Sequence, residues 1–231
     1  MSTRVLTLTN TTIGKKMVMA ASGAILFGFV IGHMLGNLQV FLGPEAINGY
    51  SHTLHTTPAL LWGTRFVLLL AALAHIVTSF QLAAGNRAAR PIAYQMRKDV
   101  ATSYAARTMV WSGPILLLYI IYHLAHLTFG VTKGLAYAHL NGGIGDANGV
   151  PDVYFNVVHS FQIPWLTAIY VVAQCALCLH LYHGAWSMFQ SLGLNHKRYN
   201  EALRSSAVAV AMAVCVGFVA VPVAVLLGYV R

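Results

Sequence analysis

Charge is what this chain has least of. Of its 231 residues only 8% are charged and five are acidic, against roughly 25% charged in an ordinary soluble domain. That shortage excludes a soluble enzyme. Cysteine is scarce too: Cys175, Cys178 and Cys215 all sit inside apolar runs, so there is no disulfide framework and no sign of an oxidising compartment. What the chain has instead is apolar surface. Hydrophobic residues make up 58% and the mean hydropathy is +0.67, which excludes disorder and collagen-like structure and makes lipid the main solvent. Against the five carboxylates stand eleven histidines.

Five apolar segments, at about 14–42, 60–85, 103–131, 161–191 and 204–229, are bounded by charge or by Gly, Pro and Asn. Each is longer than a buried helix of a soluble protein, and together they predict an all-α integral membrane protein with one membrane domain over 1–231 and five transmembrane helices. The first run follows Lys15 and Lys16 but is too long for a signal-peptide core, and no small-residue cleavage site follows it; a retained span is expected. Pro114, Pro164 and Pro222 fall within or at the start of spans, where membrane helices tolerate them.

Lys/Arg asymmetry sets the orientation. With the N-terminus inside, the inner segments hold Arg4, Lys15, Lys16, Arg87, Arg90, Arg97, Lys98, Arg107, Lys197, Arg198 and Arg204. Only Arg65, Lys133 and Arg231 face outward, balanced by Glu45, Asp146 and Asp152. The expected topology is therefore N-terminus inside and C-terminus outside. Positive-inside anchoring accounts for the pI near 9.7, and no nucleic-acid partner is needed. The longest loop, about 132–160, is placed outside; its Gly142-Gly143-Ile144-Gly145 run lacks the strand and helix of a nucleotide-binding unit.

Six histidines lie within spans: His33, His75, His123, His126, His180 and His183. An imidazole in hydrocarbon needs a partner, so such residues are functional candidates. Depth follows from the 1.5 Å rise per residue. His33 is 17 residues past Lys16 and His123 is 16 past Arg107, which puts both roughly 25 Å along their helices, in the outer half. His75 is 12 residues before Arg87 and His180 is 11 before Ser191, so both lie roughly 17 Å from the inner side. Two level pairs suit a bis-imidazole metal site. Zinc wants further close ligands and electron-transfer copper wants a Cys; haem fits best, since a porphyrin needs only two axial ligands and small residues beside its face. Gly28, Gly32 and Gly36 surround His33, Ala71, Ala72 and Ala74 precede His75, Ala125 follows His123, and Gly184 and Ala185 follow His180. The same small residues also suit plain helix–helix packing. His126 and His183 each sit three residues past a proposed ligand, about 4.5 Å further along, and are alternates for it or hydrogen-bond partners of haem propionates or a quinone; depth favours His123 over His126. The Cys175-Ala-Leu-Cys-Leu-His180 run has one residue too many for c-type attachment, and its cysteines are expected in the core.

The first span reads Gly32-His33-Met34-Leu35-Gly36-Asn37-Leu38, the outer loop Gly43-Pro44-Glu45-Ala46-Ile47-Asn48-Gly49-Tyr50, and the fourth span ends Leu179-His180-Leu181-Tyr182-His183-Gly184-Ala185-Trp186-Ser187-Met188-Phe189-Gln190-Ser191-Leu192-Gly193. Together these resemble the dihaem cytochrome b membrane anchor of succinate dehydrogenases and fumarate reductases, the single-polypeptide type with five spans. The resemblance implies two b haems with bis-His ligation in a four-helix bundle, His75 and His180 holding the one proximal to the iron–sulfur subunit and His33 and His123 the distal one. It implies a flavoprotein subunit and an iron–sulfur subunit on the inner face, and electron exchange with menaquinone or ubiquinone in a bacterial-type cytoplasmic membrane. The family's quinone-site carboxylate has no certain counterpart, because Glu45 is the only acidic residue of the first outer loop. Candidate quinone contacts are Glu45, Tyr50, His52 and His55 on the outer side, with Ser22 near Lys15 and Lys16 as an inner alternative. No flavin motif or iron–sulfur cysteine set is visible, so the chain alone cannot oxidise succinate. The competing readings are the anchor of another quinone-linked oxidoreductase and a transporter with a His relay.

Overall fold

The computed structural model describes residues 10–89, 92, 102–130 and 150–231. Among these the chain is helical with no strand: α1 Thr12–Leu38, α2 Pro44–His55, α3 Pro58–Ala88, α4 Tyr104–His123, α5 Val153–Phe161, α6 Pro164–Ser191 and α7 Asn200–Leu226. A 3₁₀ turn, Gln39–Leu42, extends α1, and a π turn, Leu124–Thr128, extends α4. Five of these units are long and apolar enough to cross a membrane: Thr12–Leu42, Pro58–Ala88, Tyr104–Thr128, Pro164–Ser191 and Asn200–Leu226. The chain is thus a multi-pass membrane protein by length and composition.

The starts and stops are local. Thr11 and Ser103 cap α1 and α4, their hydroxyls accepting from Gly14 N at 3.0 Å and Ala106 N at 3.2 Å. Proline opens α2, α3 and α6, where no backbone N–H is needed. At the end of α6 Gly193 adopts φ +73°, Leu194 N donates to Phe189 O at 2.9 Å and Gly193 N to Gln190 O at 3.2 Å. That pair of bonds needs a left-handed residue, which glycine accepts without cost to a Cβ.

The segments expected as outer loops hold two short helices. Residues 131–149, with the Gly142–Gly145 run, lie outside the described residues, but the rest of the long loop forms α5. It is built on Asp152, whose Oδ1 accepts from Phe155 N and from Asn48 Nδ2, each at 2.9 Å. Asn48 Oδ1 in turn accepts from Tyr154 N at 3.0 Å, tying α2 to the start of α5. Underneath, Val40, Ile47, Val157, Val158, Phe161, Leu166, Tyr170, Val221 and Val225 are buried together. Hydropathy alone marked these stretches as loops because each helix is too short to span.

In the bundle α1 packs against α3, α6 and α7, and α6 packs against α4 and α7. Gly217 of α7 lets Met34 of α1 lie against its backbone, where a Cβ would collide with the thioether. Two diagonals stay open: α3 with α6, and α1 with α4, make at most marginal backbone contact among the described residues. The histidine rings project into those two gaps.

Candidate metal centre

The four spans bring the histidines together in two pairs. His75 of α3 and His180 of α6 stand with ring centroids 6.3 Å apart and planes at 60°; His33 of α1 and His123 of α4 stand 5.9 Å apart at 80°. Each pair bridges a diagonal whose helices do not pack on each other. One metal ion between two imidazoles, at about 2.0 Å from each ring nitrogen, sets the ring centroids about 6.2 Å apart, and both spacings lie within about 0.3 Å of that. Among the described residues no group of three or more His, Cys, Asp or Glu side chains is placed to hold a metal ion. The donor set at each pair is two imidazoles in an apolar gap, which fits a metal whose other ligands come from a macrocycle.

The pair nearer the basic Lys15/Arg107 end, called inner after the expected topology, is the better anchored. His75 Nδ1–H donates to Met19 O at 3.1 Å, and a carbonyl can only accept, so the Nε2 lone pair is left free. Ser22, the sequence-derived quinone candidate, is buried, and its hydroxyl donates to Val18 O at 2.7 Å and Met19 O at 3.1 Å; it is spent within its own helix. Gly23 makes room for the ring: a Cβ there would lie 3.3 Å from His75 Cε1. His180 Nδ1 is 3.3 Å from Ser112 Oγ of α4, again on the side away from Nε2. Met19 and Ser112 lie seven and eight residues into their helices, about 11 Å from the Lys15/Arg107 end.

The outer pair is held differently. His123 Nδ1 lies 3.4 Å from the Tyr170 hydroxyl, and Tyr119 stacks on the same ring at 5.8 Å. His33 stacks on Phe29 at 5.3 Å; its Nε2 lies 3.4 Å from Asn37 Nδ2, an amide that already donates to His33 O at 2.7 Å, so that lone pair is weakly engaged. His126, 1% exposed, has both nitrogens taken: Nδ1 is 2.8 Å from Tyr170 OH and Nε2 3.2 Å from Ser160 Oγ. The structure therefore sets His126 among hydrogen-bond partners and His123 beside His33. His183 lies one turn past His180, half-buried. Tyr170 and His180 are ten residues apart on α6, about 15 Å along the axis.

Gly28, Gly32 and Gly184 have no atom within 4 Å of where a Cβ would stand, so the backbone there is open to a flat group or to lipid; Gly36 instead receives the Tyr50 ring, 2.9 Å from that point. Of the other outer candidates, Glu45 is exposed on the first turn of α2, His52 and His55 are half-buried, and His55 Nδ1–H donates to Ser51 O at 2.8 Å. Cys175 is exposed rather than in the core, and Cys178 Sγ lies 3.7 Å from Met212 Sδ.

Sequence reasoning missed the residues around the histidines: Met19, Gly23, Ser112, Tyr119, Tyr170 and Gln174. Gln174 is buried between the two levels, its Nε2 donating to Tyr119 OH at 3.0 Å, and its Oε1 is the buried side-chain polar atom without a partner among the described residues. A lone amide and two tyrosines in apolar runs were the available pointer. A shallow apolar cleft of about 460 Å³ between α4 and α6 is lined by Tyr119, Tyr122, Ile169 and Val172. No family model, curated protein or solved structure matches the chain.

Proposed function

We propose that this chain is the dihaem cytochrome b membrane anchor of a succinate:quinone oxidoreductase, carrying electrons between an iron–sulfur subunit and a membrane quinone. The observation that carries the reading is the two histidine pairs, each spanning a helix diagonal left open by the packing. The resemblance of the His33 and His180 segments to that family supports the choice among dihaem anchors.

In this reading His75 and His180 hold the inner haem and His33 and His123 the outer one. Bound haem supplies a one-electron couple at each pair. The chain's own residues do the rest. Met19 O fixes the His75 tautomer, and Gly23 admits the ring. The apolar spans keep water from the imidazoles. The two imidazoles of each pair would hold the iron. Lys15, Lys16, Arg87, Arg107, Lys197 and Arg198 give the inner face the positive charge on which a flavoprotein and an iron–sulfur protein dock. On the outer side Tyr50 packs at Gly36, three residues beyond His33, which sets α2, with Glu45, His52 and His55, next to the outer pair as the proposed quinone side.

The test is a dithionite-reduced minus oxidised spectrum of the purified chain with a pyridine haemochrome count. Two b haems per chain are expected; a haem-free protein overturns the reading and leaves the His-relay transporter.

A further inference from the structure

We infer that Tyr170 is the positioning residue of the outer histidine pair, fixing through a chain of hydrogen bonds the tautomer that makes His123 Nε2 the metal-binding atom. The inference rests on the dihaem reading above. The chain runs His123 Nδ1 to Tyr170 OH at 3.4 Å, its longest and weakest link, His126 Nδ1 at 2.8 Å from the same hydroxyl, then His126 Nε2 to Ser160 Oγ at 3.2 Å. Tyr170, His126 and Ser160 are 4%, 1% and 4% exposed, so neither water nor lipid competes for these bonds.

One hydroxyl carries one proton, so the chain has two consistent senses. In one, Ser160 donates to His126, His126 Nδ1–H donates to Tyr170, and Tyr170 donates to His123 Nδ1; the proton of His123 then sits on Nε2 and blocks it. In the other, His123 Nδ1–H donates to the Tyr170 oxygen, the Tyr170 O–H donates to His126 Nδ1, and His126 Nε2–H donates to Ser160 Oγ. Only the second leaves the His123 Nε2 lone pair free. A metal at the outer pair selects it, and the O–H given to His126 makes the Tyr170 oxygen a better acceptor for His123. An acceptor at Nδ1–H raises the basicity of a ligating imidazole and so favours the oxidised metal. Among the described residues the Nδ1 partners of the inner pair are Met19 O and Ser112 Oγ, neither of them aromatic. The π turn matters here, because it places His126 on Tyr170 while His123 keeps its place opposite His33.

Tyr170→Phe keeps the ring and removes the hydroxyl. Potentiometric titration of the purified full-length chain is expected to find two haems, with the midpoint of one raised and that of the other unchanged. The raised one is the haem missing from His123→Ala. His126→Ala, which keeps the Tyr170 hydroxyl and reads the same chain from its far end, shifts the same haem the same way by less. Unchanged potentials in both variants, or a shift confined to the haem missing from His75→Ala, overturns the role of Tyr170 and leaves the dihaem reading standing. A wild-type chain without haem overturns both.

Discussion

On the dihaem reading, replacing one imidazole of a pair would remove half of the protein's hold on its metal, while the other pair, about 15 Å away along α6, keeps its own partners. His75→Ala or His180→Ala is therefore expected to leave one b haem per chain, as is His33→Ala or His123→Ala, by haemochrome count. His126→Ala is expected to retain two, since its nitrogens are engaged by Tyr170 and Ser160; one haem in that variant would move the ligand from His123. Gly23→Val tests the approach of α1 to α3. Even a methyl there would stand 3.3 Å from the His75 ring, so the larger side chain is expected to lower occupancy of the inner haem and leave the outer one unchanged in the same spectrum.

At the scale of elements, α2 and α5 form a cap over the outer end of the bundle, joined through Asn48 and Asp152. Asn48→Ala removes an acceptor for Tyr154 N and a donor to Asp152, and the loss is expected to cost about 1–3 kcal/mol. A lowered thermal midpoint of the detergent-solubilised chain checks it, with Asn200→Ala as the control, since among the described residues the Asn200 side chain bonds within its own turn, accepting from His196 N. The long spans were legible in the sequence because 20 or so apolar residues have no other stable fate than a membrane helix. The cap was not, because its helices owe their stability to Asn48, Asp152 and a shared core rather than to length. The π turn after His123 was equally invisible: its register is set by the partners His126 finds in α5 and α6.

For the molecule as a whole, the excess of Lys and Arg at one end of the bundle predicts its orientation. A reporter active only outside the cytoplasm is expected to work when fused after Arg231 and to fail when fused in the Lys197–Arg198 turn; the reverse pattern inverts the topology. If soluble redox subunits dock on that basic end, as the proposed function has it, their co-purification is expected to weaken as ionic strength rises, since exposed charge pairs are screened within about 10 Å at 0.1 M salt. Retention of those subunits at high salt would assign their docking to apolar contacts.

Composition and spacing by themselves determined that this is a helical membrane protein with five spans, and that its intramembrane histidines fall at two depths, because hydropathy and the 1.5 Å rise are properties of the chain alone. Only the tertiary structure decided which rings meet. Depth cannot say whether two helices at one level are neighbours or lie across a gap, nor which nitrogen of a ring is spent. The packing of α1 and α6 at the centre decides the first, leaving the α3–α6 and α1–α4 diagonals open. Met19 O and the Tyr170–His126–Ser160 chain bear on the second, through contacts between residues as many as 56 positions apart that no local pattern encodes.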